Sequence, residues 1–455
     1  MDRRSFLKST IAAAPLIISA KALGRSGPGA NEVVDVAIVG LGGRSRDIVA
    51  TMLEMPQVRI VAVCDCFGPR VDSARKALAD RGITCNGYLD LEEMLEKEKC
   101  EGVMVETTTH ARAWVTCLAM AAGKDVYIEK PMCLSVAEGR EMVNCARHFK
   151  SVTQVGTQQR SIALNNWASD LVKNGAIGKI KRVLAPNFIG GLTWEDKEAQ
   201  EMPDGGRADW WDVWTNQCQL RPYHEHLHYW WNNWLEYDGG GMSFGVTGWG
   251  THSYDQLQRG LGTDETGPVE IILEEPVSVR RGYSDEDRQP DPSETGEPYY
   301  DMVKDKRGPR AKVTMKYESG TEVLLHLDAN YGPGLGCIFE GENGTIEINR
   351  DKIKLDPEEL LSSPDNPGHL QVAETQPHIA DWVDCIKSRN KCTADIEYGQ
   401  RSSTMCYLVN IARAVGRVGE SLHWDPKAER FTNCDEGDAM LQLERREGYE
   451  LPKLT

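Results

Sequence analysis

Two constellations in this 455-residue chain have the residue types that redox chemistry on a dinucleotide requires. The first is Gly40-Leu41-Gly42-Gly43-Arg44-Ser45, a GxGxxS turn with serine where a third glycine usually stands. It sits between an apolar run and a helical pattern. The first glycine permits a tight turn. The second lets the backbone approach a pyrophosphate resting on the helix N-terminus. Asp65 closes the next apolar run. A carboxylate there accepts hydrogen bonds from a ribose 2′-hydroxyl and repels a 2′-phosphate, which favours NAD over NADP. Arg44 and Arg70 pull the other way, because either guanidinium can meet a phosphate.

The second constellation is Glu129-Lys130-Pro131, at the end of another apolar run. When hydride leaves an alcohol carbon, the hydroxyl proton must leave too, so a base must lie within hydrogen-bond reach. Parallel sheets place their sites at the carboxyl ends of strands. Burial there and a positive nicotinamide ring both disfavour the ammonium form of Lys130 and draw it toward use as a base.

The elements that must hold these residues follow a βαβ pattern. Residues 33–39, 58–64, 102–106 and 125–129 read as strands, with helices over 69–80 and 110–122. That alternation predicts an α/β fold beginning with a doubly wound parallel sheet. Beyond about residue 156 the texture changes. A helix over 162–174 and a strand over 179–188 precede two hairpins, 313–317 with 322–327 and 337–340 with 345–349. Their turns are Glu318-Ser319-Gly320-Thr321 and Gly341-Glu342-Asn343-Gly344. Helices are expected over 379–388 and 402–417, and a long surface loop over 283–310, which is rich in Asp, Glu, Pro and Gly. The expected organisation is a targeting segment and linker over 1–30, a Rossmann domain over 31–156, and an α+β domain over 157–455. The last domain should carry a large, mostly antiparallel open sheet.

The formal net charge of -17 argues against nucleic acid as a partner. With 40% hydrophobic and 27% charged residues, an ordered globular protein is expected. Arg3-Arg4-Ser5-Phe6-Leu7-Lys8, a short apolar run over 11–20 and Ala20-Lys21-Ala22 have the order of a twin-arginine export signal. The expectation is a periplasmic protein, exported folded, with no membrane segment in its mature form. An exported enzyme cannot count on exchanging NAD with a cytoplasmic pool, so a tightly held cofactor is expected. The thirteen cysteines include no CxxC pair and read as mostly buried small hydrophobes.

Eight of the twelve tryptophans fall between Trp194 and Trp249. Aromatic faces stack on the C–H faces of sugar rings, so a carbohydrate pocket including Trp249 is expected, with at least half of the eight tryptophans filling a core or a dimer interface. In His224-Glu225-His226-Leu227-His228, a strand would put three histidines on one face, as a transition metal requires. The competing reading has His224 and His228 bonding sugar hydroxyls beside Arg221 and Tyr223, with no metal.

Together the glycine turn and Glu129-Lys130-Pro131 resemble the Gfo/Idh/MocA family, named for glucose–fructose oxidoreductase and inositol dehydrogenase. Val155-Gly156-Thr157-Gln158-Gln159-Arg160, Gly250-Thr251-His252, Gly341-Glu342-Asn343-Gly344 and Ile379-Ala380-Asp381-Trp382 fall where that family has its own motifs. The resemblance implies that Lys130 and His252 handle the proton, with Asp255 as companion. It implies Thr107, His110, Glu129 and Gln158 at the cofactor, beside Gly40, Gly42, Gly43, Arg44, Ser45, Asp65 and Arg70, and Arg160 at the substrate. It also implies a homodimer or homotetramer formed through the open sheet. One departure stands out: the family commonly has aspartate four residues before the histidine, where this chain has Gly248. The expected function is oxidoreduction of a sugar, glycoside or polyol hydroxyl by bound NAD(P). The alternatives are glycoside hydrolysis by transient oxidation, elimination and reduction, and sugar binding without catalysis.

Overall fold

A computed structural model describes residues 33–241, 245–280, 308–327, 334–350, 352–368 and 375–454. The expected export signal and nearly all of the expected 283–310 loop lie outside these residues.

Six strands form the first sheet: β1 (Val34–Val39), β2 (Val58–Cys64), β3 (Asn86–Tyr88), β4 (Gly102–Val105), β5 (Asp125–Ile128) and β6 (Thr153–Val155). All pair in parallel, in the order β3-β2-β1-β4-β5-β6. The crossovers are α1 (Gly43–Met52), α2 (Gly68–Ala79), α3 (Leu91–Lys97), α4 (Thr109–Ala121) and α5 (Val136–Phe149). With helices on both faces, nearly every position of the central strands is apolar and buried. Strand order reverses between β1 and β4, and a crevice must open there at the carboxyl ends.

The second sheet comprises β7 (Ile180–Pro186), β8 (Glu270–Leu273), β11 (Val313–Lys316), β12 (Glu322–Leu327), β13 (Cys337–Gly341), β14 (Thr345–Asn349), β15 (Lys352–Asp356), β16 (Ser421–Asp425) and β17 (Arg430–Phe431). Its order is β15-β14-β13-β7-β12-β11-β8-β16-β17, and β9 (Ser278–Arg280) pairs separately with β10 (Gly308–Arg310). Within the nine-stranded sheet only β7 and β12 run parallel; the other pairs are antiparallel. Both expected hairpins are present.

The remaining helices are α6 (Ala163–Lys173), α7 (Trp210–Thr215), α8 (Glu225–Trp230), α9 (Trp249–Leu261), α10 (Thr375–Ser388), α11 (Ile396–Val415) and α12 (Asp435–Ala439). Helix α10 crosses back to the first sheet: Trp382 is fully buried against Gly102, where a Cβ would lie 2.7 Å from its ring. A late segment therefore completes the core of the early layer.

Half of the tryptophan cluster is core. Trp194, Trp210, Trp211 and Trp214 bury together with Phe67, Tyr223 and Tyr237, and Trp211 stacks on Trp214 at 4.6 Å. The expected histidine strand is instead helix α8. His224 caps it by accepting from the His226 amide at 3.1 Å, and its ring lies 5.0 Å from that of His226. His228 points inward among Phe67, Trp210 and Trp214. The rings of His224 and His226 meet while that of His228 turns into the aromatic core, so the three do not converge on a metal. All thirteen cysteines are free thiols, and all but Cys66 are buried. Among the described residues, no helix is long and apolar enough to cross a membrane.

Candidate active site

The carboxyl ends of β1, β2, β4 and β5 open into a cleft of about 740 Å³. Helix α9, the aromatic segment around Trp214, Trp231 and Tyr229, and Leu335 with Arg350 from the second sheet close its other side.

Gly40 takes φ +90°, and a Cβ there would lie 2.6 Å from the Glu106 carbonyl carbon and the Thr107 nitrogen. The turn is closed to any other residue. At Gly42, by contrast, a Cβ would meet no protein atom within 4 Å. That open space borders the cleft just ahead of α1, whose first amides have no intrahelical partners. The arrangement fits a pyrophosphate. Gly43 and Arg44 also line the cleft, whereas Ser45 is buried in the first turn of α1 and is absent from the wall. Asp65 staples the turn to β2: Oδ2 accepts from the Leu41 amide at 2.8 Å and Oδ1 from the Phe67 amide at 2.9 Å. Arg70 Nη1 lies 3.8 Å from the same carboxylate.

Glu129 is the hub beyond the turn. Its Oε1 accepts from Arg44 Nε at 2.9 Å and Gln158 Nε2 at 3.1 Å, and its Oε2 accepts from the Lys130 amide at 2.9 Å. Burial raises this carboxyl, but Arg44, Lys130 and Arg112 outweigh it and hold it below the usual carboxylate range. The Lys130–Pro131 peptide is cis. Lys130 Nζ donates to the Gly248 carbonyl at 3.3 Å. Burial lowers the Lys130 amine below its ordinary range, with Glu129 and Asp238 resisting.

Asp238 is the carboxylate that the sequence reading missed. It is fully buried and lines the cleft; Oδ1 accepts from Thr109 Oγ1 and Oδ2 from Thr247 Oγ1 at 2.8 Å. Thr247 adjoins Gly248, so a carboxylate reaches the place where the family's usual aspartate is missing, from ten positions upstream of Gly248. Burial raises Asp238, while its two hydroxyl donors, Arg112 and Lys130 lower it. Arg112 braces the wall: its guanidinium donates to the Pro131 and Thr107 carbonyls and to Thr109 Oγ1. The only sequence signal for Asp238 was its place before Gly239-Gly240-Gly241, which reads as an ordinary turn.

His252 occupies the first turn of α9 and lines the cleft. Burial, then Lys130 and Arg350, hold it well below the ordinary imidazole range, so the ring is neutral. Its Nδ1 is buried without a partner. Asp255 does not share this wall. Its Oδ2 accepts from Arg160 Nε and its Oδ1 from Ser402 Oγ, both at 2.8 Å. Arg160 also binds Asp264 at 2.7 Å and is itself 2% exposed. The expected companion and the expected substrate contact therefore form one buried ion-pair network outside the cleft wall, with Arg160 and Ser402 occupying both oxygens of Asp255 one turn further along α9.

Other expected contacts divide similarly. Thr107, Gln158, His228 and Trp249 line the cleft. His110 does not: its Nε2 bonds the Trp214 carbonyl at 2.8 Å, and burial lowers its pKa to about 4. Arg221 is held by Glu236 at 2.6 Å, and Tyr223 and His224 pack in the tryptophan core. Burial lowers His228 to about 3 and its Nε2 has no partner, so it is a neutral polar group at the wall. The one cluster of metal-ligating side chains among the described residues, Asp381 with Cys385 and Cys392, lies away from the cleft. There Asp381 Oδ2 is occupied by Gln154 Nε2 at 3.0 Å and the Thr393 amide at 2.9 Å.

A family model described as the NAD-binding Rossmann fold of an oxidoreductase family matches residues 34–157, and the C-terminal alpha/beta domain of the same family matches residues 292–451. The chain is 26% identical over 149 residues to inositol 2-dehydrogenase/D-chiro-inositol 3-dehydrogenase of Lactiplantibacillus plantarum, covering 32% of this chain and 42% of that protein. It is 30% identical over 142 residues to a glycosyl hydrolase family 109 protein of Saccharopolyspora erythraea, covering 30% of this chain and 29% of that one. The chain thus spans less than half the length of these curated relatives. In fold it is similar to the WlbA dehydrogenase of Bordetella pertussis, solved with NADH and UDP-GlcNAcA, with TM-score 0.57, 16% identity, and coverage of 86% of this chain and 98% of that chain.

Proposed function

The chain belongs to the Gfo/Idh/MocA oxidoreductase family, and from that premise we propose that it oxidises or reduces a hydroxyl of a sugar, glycoside or polyol with a nicotinamide dinucleotide. The observation carrying this reading is that Lys130 and His252 line the same cleft as the Gly40–Gly43 turn. A dinucleotide bound there would supply the hydride acceptor or donor.

The chain's own residues account for the remainder. Gly40 and Gly42 admit the pyrophosphate, and Asp65 presents a charge that favours NAD over NADP. Lys130, disfavoured as an ammonium, takes the hydroxyl proton as the C–H bond is lost, and returns it in the reverse direction. Asp238 steadies the lysine once protonated. His252, neutral, shares the substrate oxygen. Trp231 and Trp249 give apolar faces for a sugar ring.

We further read the protein as exported folded by the twin-arginine route with its dinucleotide bound. Self-association through the uncovered face of the nine-stranded sheet is also expected. There Ile338, Leu184 and Leu324 form a half-buried apolar row across β13, β7 and β12, which Thr314 of β11 separates from Ile272 of β8. Light scattering on the purified protein checks the association.

The relative from glycosyl hydrolase family 109 favours a second reading, hydrolysis through transient oxidation. A sugar and glycoside panel separates the two. Net formation of reduced dinucleotide supports the first; glycoside cleavage without it supports the second; neither, with no dinucleotide retained, rejects both.

A further inference from the structure

We propose that the Glu106 carboxyl contacts the nicotinamide riboside half of a bound dinucleotide and makes the cleft distinguish its oxidised from its reduced form. The inference rests on the proposed dinucleotide site and extends it.

Glu106 follows β4 directly, and its amide donates to the Val39 carbonyl at 2.8 Å. It therefore stands where the strand order reverses. Across the carboxyl ends the sequence of groups is Asp65 after β2, the glycine turn after β1, Glu106 after β4, then Lys130 after β5. With the pyrophosphate at the glycine turn and the adenosine ribose toward Asp65, Glu106 lies on the opposite, Lys130 side.

Its side chain lines the cleft, is buried, and has neither carboxyl oxygen hydrogen bonded. Every other acid of the wall is engaged: Asp65 by two amides, Glu129 by Arg44 and Gln158, Asp238 by two hydroxyls. Buried polar groups are rarely left without partners, so the missing partner belongs to what enters the cleft.

The charged groups facing it are Glu129 beyond β5, Arg44 and Asp47 from α1, and Arg112 from α4. Burial and then Glu129 push this carboxyl well above the usual carboxylate range, toward its neutral form, and the two arginines offset this only in part. A neutral carboxyl donates a hydrogen bond to a ribose hydroxyl or an amide oxygen. A positive pyridinium beside it favours the ionised form, so the oxidised dinucleotide expels the proton and gains an attraction. The reduced ring, uncharged, leaves the proton in place.

Calorimetric titration of the full chain with NAD+ and with NADH, in two buffers of different ionisation enthalpy, reads both affinity and proton release. The unaltered protein should release up to about one proton with NAD+ and roughly none with NADH. Glu106→Gln should abolish the difference and weaken NAD+ about tenfold relative to NADH. Lys130→Met, which removes the amine also able to shed a proton, should keep the release. Equal release for the two dinucleotides in the unaltered protein overturns the proposal without any variant. An unchanged affinity ratio in Glu106→Gln also overturns it. If neither dinucleotide binds, the proposed site falls and this inference with it.

Discussion

Lys130 Nζ donates to the main-chain carbonyl of Gly248 across 3.3 Å. This single contact ties the end of β5, in the parallel layer, to the residue preceding α9, which carries His252. The two groups assigned to proton handling are thereby positioned by both layers at once. Thr247, one residue earlier, bonds Asp238 at 2.8 Å, so the carboxylate is fixed to the same short segment.

Asp238→Asn tests whether that carboxylate governs the lysine. Burial lowers Lys130, while Glu129 and Asp238 raise it. Turnover by the free amine rises as pH climbs through the Lys130 pKa. Removing the Asp238 charge lowers that pKa further, so the acid limb of kcat/KM should move to lower pH, with a shift of about one unit. An unmoved limb, or one displaced to higher pH, contradicts the assignment.

The two glycines of the turn should respond differently. Gly40→Ala puts a Cβ into the backbone at Glu106 and Thr107, at positive φ, and should cost about 1–3 kcal/mol or more of stability in thermal unfolding. Gly42→Ala meets no protein atom, so unfolding should be unchanged while dinucleotide affinity falls about tenfold or more. Equal effects on folding would mean that the second glycine serves the protein and not a ligand.

Asp65→Ala removes the charge proposed to face a ribose 2′-position and the acceptor of the Leu41 and Phe67 amides. Fluorescence titration should show the preference for NAD over NADP falling by about tenfold. A preference for NADP in the unaltered protein would contradict the reading and shift attention to Arg44 and Arg70.

The buried ion pairs of Arg160 with Asp255 and Asp264 predict a role in folding rather than turnover. Arg160→Ala leaves Asp255 and Asp264 without their shared cation in a buried site, a loss of about 3–5 kcal/mol in denaturant unfolding. Asp255→Asn should lower stability while its folded fraction keeps KM and the pH profile. A displaced pH profile in Asp255→Asn would return that residue to the proton-handling group.

The parallel layer was legible because continuous apolar runs ending at Gly40, Asp65 and Glu129 carry their own signature. The short strands β3 and β6 carry too few residues to show a period. The reading of His224 to His228 as a possible strand failed because five residues with alternating histidines satisfy that pattern, while the Trp210 and Phe67 packing that makes α8 bury His228 comes from distant sequence. Asp255 was placed by spacing from His252, but only its partners Arg160 and Ser402 show that its oxygens are already occupied. Asp238 and Glu106 gain meaning solely from burial and from partners contributed by other elements. Neither fact is written in their own neighbourhoods.

In the proposed reaction Lys130 takes the substrate hydroxyl proton, in a cleft that holds the dinucleotide independently of it. Lys130→Met, loaded with NAD+ and mixed with the substrate found in a sugar panel, tests it through the near-ultraviolet absorbance of reduced nicotinamide in a single turnover. Dinucleotide affinity should stay within about threefold of the unaltered protein, and hydride transfer should slow by about 10²–10⁴-fold. Hydride transfer at the unaltered rate would contradict it.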